Sequence, residues 1–271
     1  ANFEETYSGP TFQGSYIAGV YYPDKTRVGW WKNGYPEYFA KVLNAPSWIG
    51  INVFINGEAL DLHTCKKVEN FKRELNMKEG WLSRSFTATL QNDIEIEVSA
   101  KRFLSLDLDE LGAIDYAVKL INSDAIITYQ PYLDSGITNE DTNWDDKFWN
   151  TLSVSQDDQK AFIQAKTMKT EFHTCTFMES RLFSNDKAVI MEPEVVETAT
   201  FIGFSYAHKV NKGEVFSIHK FAGYTVDRNH DKDQLVAAAS AVLDKATALG
   251  FSNLLETQKE AWSKVWDMAD I

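Results

Sequence analysis

Phe86-Thr87-Ala88-Thr89-Leu90, then Gln91-Asn92-Asp93, then Ile94-Glu95-Ile96-Glu97-Val98: two runs in which every other residue is apolar, joined by three polar turn formers. Successive side chains of a strand point to opposite faces, so each run buries one face and wets the other. The polar triplet then folds the first run back on the second as a hairpin. A second hairpin stands at Ile51-Asn52-Val53-Phe54-Ile55 and Glu58-Ala59-Leu60, where the intervening Asn56-Gly57 is the pair that a type I′ turn favours. More strand-like runs follow at 112–121, 125–133, 161–167, 198–208 and 214–226, divided by turn-rich stretches such as Asn122-Ser123-Asp124, Asn185-Asp186 and Asn211-Lys212-Gly213. Many strands at this spacing, with no helix between them, predict a large antiparallel sandwich rather than a βαβ sheet. Residues 1–50 are rich in Gly, Tyr and Trp and read as irregular loops laid on that sheet.

The period changes near the end. From Asp231 to Leu249 the apolar residues Leu235, Val236, Ala239, Val242, Leu243 and Ala246 recur every 3.6 positions, and Gly250 stands where a helix C-terminal cap is expected. A second helix is expected from Asn253, with Glu256 in the capping-box position and Leu255, Ala261, Trp262, Val265 and Trp266 as its apolar stripe. The chain therefore divides into a β unit over 1–229 and a helical arm over 230–271.

The 271 residues are enough for one large β domain or two small ones. Lys plus Arg is 27 against 39 for Asp plus Glu, a net charge of −12, which repels a nucleic-acid backbone. No run approaches the roughly 18 consecutive apolar residues of a membrane helix, so neither nucleic acid nor membrane is an expected partner. The first residues carry no signal-peptide pattern, and a cytoplasmic location is expected, with a periplasmic or secreted one open if a leader has been trimmed. Two cysteines, Cys65 and Cys175, can form at most one bridge, and a reduced pair is expected.

Several groups could carry chemistry. His-Thr-Cys occurs at 63–65 and again at 173–175, but one-residue spacing is short of the two to four typical of zinc ligands, so no metal is expected. Asn139 to Asp146 offers four carboxylates beside Trp144, Phe148 and Trp149. Paired carboxylates beside aromatic rings suit sugar chemistry, and they equally suit a solvated loop. Trp30, Trp31, Tyr35 and Trp48 could stack on sugar rings or cover the core. The resulting candidates for a substrate mouth or an interface are Trp30, Trp31, Tyr35, Asn143, Trp144, Asp145, Phe148 and Trp149. No phosphate-binding loop or nucleophile elbow is present.

Six segments, taken in order, resemble one family. They are Asn2-Phe3-Glu4-Glu5, Gly29-Trp30-Trp31-Lys32-Asn33-Gly34, Lys41-Val42-Leu43-Asn44-Ala45-Pro46, Arg73 to Gly80, Arg102-Phe103-Leu104-Ser105-Leu106 and Asn139-Glu140-Asp141. Together they resemble the amino-terminal domain of glycoside hydrolase family 65, which holds maltose, kojibiose and trehalose phosphorylases and related hydrolases. Arg73-x-Leu75-x-Met77-x-x-Gly80-x-Leu82-x-Arg84 is the most specific part. The resemblance implies a mainly β, two-sheet antiparallel supersandwich of the galactose-mutarotase type, then linker helices, then an (α/α)6 catalytic barrel. The opening and closing residues depart from the family pattern, as a piece of a longer chain would.

In the family the general acid sits on the barrel, so the resemblance implies no catalytic residue and no cofactor here, with phosphate a co-substrate of the parent if it is a phosphorylase. The partners it implies are the barrel, a second copy in a homodimer, and carbohydrate near the mouth. Trp262 and Trp266 are expected to pack partly on the sandwich and partly against the barrel. Two alternatives stand beside this reading. One is an independent carbohydrate-binding module. The other is a mutarotase-type enzyme using His173 with His208 or His219 and a carboxylate in one cleft.

Overall fold

A computed structural model describes residues 3–11, 14–26, 34, 36–139 and 147–269. Residues 1–50 are not only loop: β1 (Tyr21–Lys25) pairs with β2 (Tyr38–Val42) as an antiparallel ribbon, which corrects the irregular reading of this stretch. Pro23 and the consecutive aromatic pairs Tyr21-Tyr22 and Tyr38-Phe39 in those strands hid the alternation. At β3 (Ile51–Ile55) and β4 (Glu58–Ala59) the hairpin is as read, with φ of 50° at Asn56 and 82° at Gly57, the paired positive values of a type I′ turn.

Four long strands then run as a meander: β5 (Lys67–Asn76), β6 (Trp81–Thr89), β7 (Glu95–Leu104) and β8 (Leu111–Leu120). At Asn122-Ser123-Asp124 the chain changes sheet, because β9 (Ala125–Asp134) pairs with β3 and not with β8. The chain returns to the large sheet in β10 (Trp149–Asp157), β11 (Lys160–Thr167), β12 (His173–Ser184) and the short β13 (Lys187–Val189). The strands β14 (Glu194–Glu197) and β15 (Phe201–Val210) extend the small sheet, and β16 (Val215–Val226) inserts between β12 and β8. The result is a nine-stranded sheet ordered β10-β11-β12-β16-β8-β7-β6-β5, with β13 on β12, facing a five-stranded sheet ordered β14-β15-β9-β3-β4. This is the two-sheet antiparallel sandwich that the alternation predicts.

Between the sheets lies the main core, where Phe86, Val98, Tyr116, Ile127, Tyr129, Phe204, Tyr206 and Phe216 interdigitate. Lys220 is fully buried there, and its Nζ donates to the carbonyls of Gly50 and Tyr132 at 2.8 Å each, tying the two sheets together. Burial holds that amine well below the ordinary lysine range.

The arm forms α1 (Leu235–Ala269), with a break at Gly250, whose φ of 75° and ψ of 162° suit glycine almost alone. Its first half lays Leu235, Ala239, Leu243 and Ala246 on the outer face of the large sheet, against Phe103, Leu111, Phe162, Phe177 and Phe221. Strands β12 and β16 are thus covered on both faces, and their burial is nearly continuous instead of alternating. The helix resumes at Phe251, so the expected capping box at Asn253 is not formed. Asn253 Nδ2 donates to the Leu249 carbonyl at 2.7 Å, and Glu256 pairs with Lys259 on the surface. By length and composition alone the arm could cross a bilayer, yet its apolar stripe is the one that packs on the sheet.

Candidate functional site

Of the eight predicted mouth residues, Trp30, Trp31, Tyr35, Asn143, Trp144 and Asp145 lie outside the described residues. Their flanks are described, and the residues that follow β2 meet those that follow β9. Backbone N–H of Asn44 donates to Asn139 Oδ1 at 2.8 Å, and Asn139 Nδ2 donates to the Val42 carbonyl at 3.1 Å. Asn44 Nδ2 donates to the Thr138 carbonyl, while its Oδ1 accepts from Ser15 N–H at 2.9 Å. Two of the family-like segments, 41–46 and the start of 139–141, are therefore one hydrogen-bonded clamp. Two loops far apart in sequence are fixed side by side.

Phe148 and Trp149 are corrected: each is only 5% exposed and belongs to the core under the clamp, not to a mouth. Phe148 meets Tyr22 edge-on at 4.6 Å, and Trp149 Nε1 donates to the Asn44 carbonyl at 2.8 Å. Their rings support the loops from below. Above them the β1–β2 ribbon leaves Tyr21 (44%), Tyr38 (49%), Phe39 (43%) and Val42 (60%) exposed. Trp48 likewise is core, lying on Gly112 where a Cβ would fall 2.3 Å from its ring.

The acid and base groups are dispersed. Glu4 and Glu5 are buried against Arg84, and Glu4 also takes Arg102 Nη1 at 2.6 Å. Burial opposes the charge on Arg84, but the hydrogen bonds it donates to Glu5 and the field of both carboxylates outweigh it, so its pKa is raised. Burial lifts Asp115 to about 6 against the pull of Lys101, and burial lowers His219 to about 4. These two lie 3.6 Å apart beneath Phe251, on the sheet face that α1 crosses.

The histidines proposed for mutarotase chemistry do not converge. His219 pairs across the sheet with Arg181, eight residues along β12 from His173, or about 26 Å at ~3.3 Å per residue. His208 stands on β15 in the other sheet, stacked on Phe216. Among the described residues no group of three or more His, Cys, Asp or Glu could hold a metal, and both cysteines are free. Burial raises their thiols to about 11 at Cys65 and about 12 at Cys175, so neither is a reactive thiolate at neutral pH.

Three positions of the most specific motif, Arg73, Gly80 and Arg84, serve architecture. Arg84 anchors the N-terminal strap, and Arg73 lies 5.0 Å from the Phe3 ring. Gly80, at φ 70°, carries Trp262 so closely that a Cβ would fall 1.9 Å from Nε1. Trp266, 36% exposed as a residue, stacks on Trp262 at 6.0 Å and donates to the Lys78 carbonyl at 3.0 Å. Gln258, also buried, accepts from Leu106 N–H and donates to the Gly80 carbonyl. Sequence reading missed Gln258, since a polar residue in an apolar stripe gives no sign of its partners.

The strap, the sandwich and the arm are what one family model describes: Glycosyl hydrolase family 65, N-terminal domain, matches residues 1–265. The chain belongs to this family. It is 38% identical to the maltose phosphorylase of Bacillus subtilis (strain 168), over all of this chain and 35% of that protein. It is 28% identical to the alpha,alpha-trehalose phosphorylase of Thermoanaerobacter brockii, over 99% of this chain and 36% of that protein. A solved structure from the human microbiome that carries the name of a kojibiose phosphorylase shares the fold, with a TM-score of 0.84 and 22% identity over 98% of this chain and 34% of its own. The chain thus spans about a third of the length of the relatives it matches.

Proposed function

We propose that this chain is the non-catalytic N-terminal domain of a family 65 disaccharide phosphorylase, or of a related glucoside hydrolase. It supports a catalytic (α/α)6 barrel and presents loops at the mouth of the active site. The β1–β2 ribbon carries the proposal. A two-stranded ribbon is marginal on its own in water, and this one turns Tyr38, Phe39 and Val42 outward above a clamp that fixes its base. Such a ribbon is an arm for insertion against a partner. In this reading phosphate and the disaccharide bind on the barrel, where one carboxylic acid and one anion pocket do the chemistry. The same surface could serve a homodimer, with sugar contacted at the loop tips.

Incubating the 271-residue chain with maltose, kojibiose or trehalose and inorganic phosphate tests this. The expected result is no sugar phosphate above background; turnover by the chain alone would overturn the proposal.

A further inference from the structure

A second apolar surface lies on the same rim of the sandwich as the ribbon. On the inner face of the large sheet, cross-strand register sets Arg73 beside Arg84 and Leu75 beside Leu82 beside Arg102. The first of these rows is closed by the strap, since Phe3 and the two glutamates lie on Arg73 and Arg84. Beyond the strap nothing described covers the sheet: Leu75 is 64% exposed, Met77 68% and Leu104 69%. Three of the six positions of the most specific motif, Leu75, Met77 and Leu82, thus lie on or beside this uncovered face, and solitary exposure is not what such a cluster shows. Three guanidinium groups, Arg73, Arg84 and Arg102, lie beneath it, and among the described residues Arg73 has no salt bridge of its own.

We propose that Leu75, Met77, Leu82 and Leu104 with Arg73 form a second docking site for the same catalytic polypeptide, which meets it with an apolar surface carrying a carboxylate opposite Arg73. This rests on the reading of the chain as a supporting domain. Two further observations select that occupant. The 270 matched residues are 35% of the Bacillus maltose phosphorylase, which leaves roughly 500 residues outside, enough for a body about 50–60 Å across. Strands β5 and β10, which bound the two surfaces, are seven steps apart in the sheet, or about 34 Å at ~4.8 Å per step, so one such body reaches both. The arm also arrives there, because Trp266 and Gln258 hold the turn at Lys78 to Gly80 that borders Met77.

The test places a photo-cross-linking benzoylphenylalanine at Met77, and separately at Phe39, in the full-length protein, with adducts mapped by mass spectrometry. Adducts from position 77 to residues beyond 271, reduced at least fivefold by Arg73→Glu, are expected. If position 39 gives such adducts and position 77 gives none, or gives adducts only to a second copy, the second docking site is overturned and the supporting-domain reading stands. If neither position reaches that polypeptide, both fall.

Discussion

Replacing Gly80 with alanine should release the distal half of the arm and leave the sandwich folded. At φ 70° an alanine pays about 1 kcal/mol for the left-handed conformation. Its Cβ would also fall 1.9 Å from Trp262 Nε1 and 2.7 Å from Gln258 Nε2, so the helix must move away from the turn. That movement breaks the bonds of Gln258 to Leu106 N–H and to the Gly80 carbonyl, each worth about 1 kcal/mol. The sum is roughly 3 kcal/mol, or about a hundredfold in the local opening equilibrium. The proximal half keeps its own anchors at Leu235, Ala239, Leu243 and Ala246 and should not follow. Hydrogen exchange resolved by peptide reads this directly: amides of 251–269 lose about a hundredfold in protection, while those of 235–249 and of β3 keep theirs. Unchanged protection in 251–269 would refute the claim that the β5–β6 turn seats the arm.

Other substitutions probe the remaining parts. Arg84→Met leaves Glu4 and Glu5 buried without their main partner and should cost about 3–5 kcal/mol in chemical denaturation, with Glu4→Gln and Glu5→Gln added to it restoring part of the loss. Asn139→Ala removes the bonds to Asn44 N–H and the Val42 carbonyl, about 1 kcal/mol each, and should raise exchange in β2 without altering the far end of the sheet. The pair Asp115 and His219 should give opposite pH slopes. The raised Asp115 favours the folded state below pH 3.8 and loses that contribution as pH rises through about 6; the lowered His219 costs stability as pH falls from 6.5 through about 4. The two offset each other in the parent, so the melting temperature of Asp115→Asn should fall more steeply from pH 6.5 to 4 than that of the parent, and His219→Gln less steeply. Equal slopes in all three proteins would show that neither shift exists.

Where one face of a strand is wet, the sequence spoke plainly. The pairs Phe86 to Val98 and Ile51 to Leu60 alternate because a single core lies on one side of them. The strands β12 and β16 carry no such signal, since α1 covers the second face and their burial runs through consecutive residues. Nor does a single sequence reveal the change of sheet at Asn122 to Asp124, because a turn between hairpin strands and a turn between sheets use the same residues. Gly250 was readable as a helix break, while the site at which the helix resumes depended on Phe251 finding Phe103 across the sheet. At the candidate site the aromatic composition of 143–149 suggested a surface, but Trp149 and Phe148 turn inward once Asn44 and Asn139 close the clamp. The structural duty of Arg84 was invisible, as its partners lie some eighty residues away.

The most direct test of the supporting-domain account is complementation. The remaining two thirds of the full-length protein, produced without residues 1–271, would be mixed with increasing amounts of this chain, and sugar phosphate release from maltose and phosphate measured. The account predicts negligible activity for either piece alone and a saturable rise as the chain is added, lost when Phe39→Asp disrupts the ribbon. Full activity in the remainder without this chain, or turnover by the chain on its own, would contradict it.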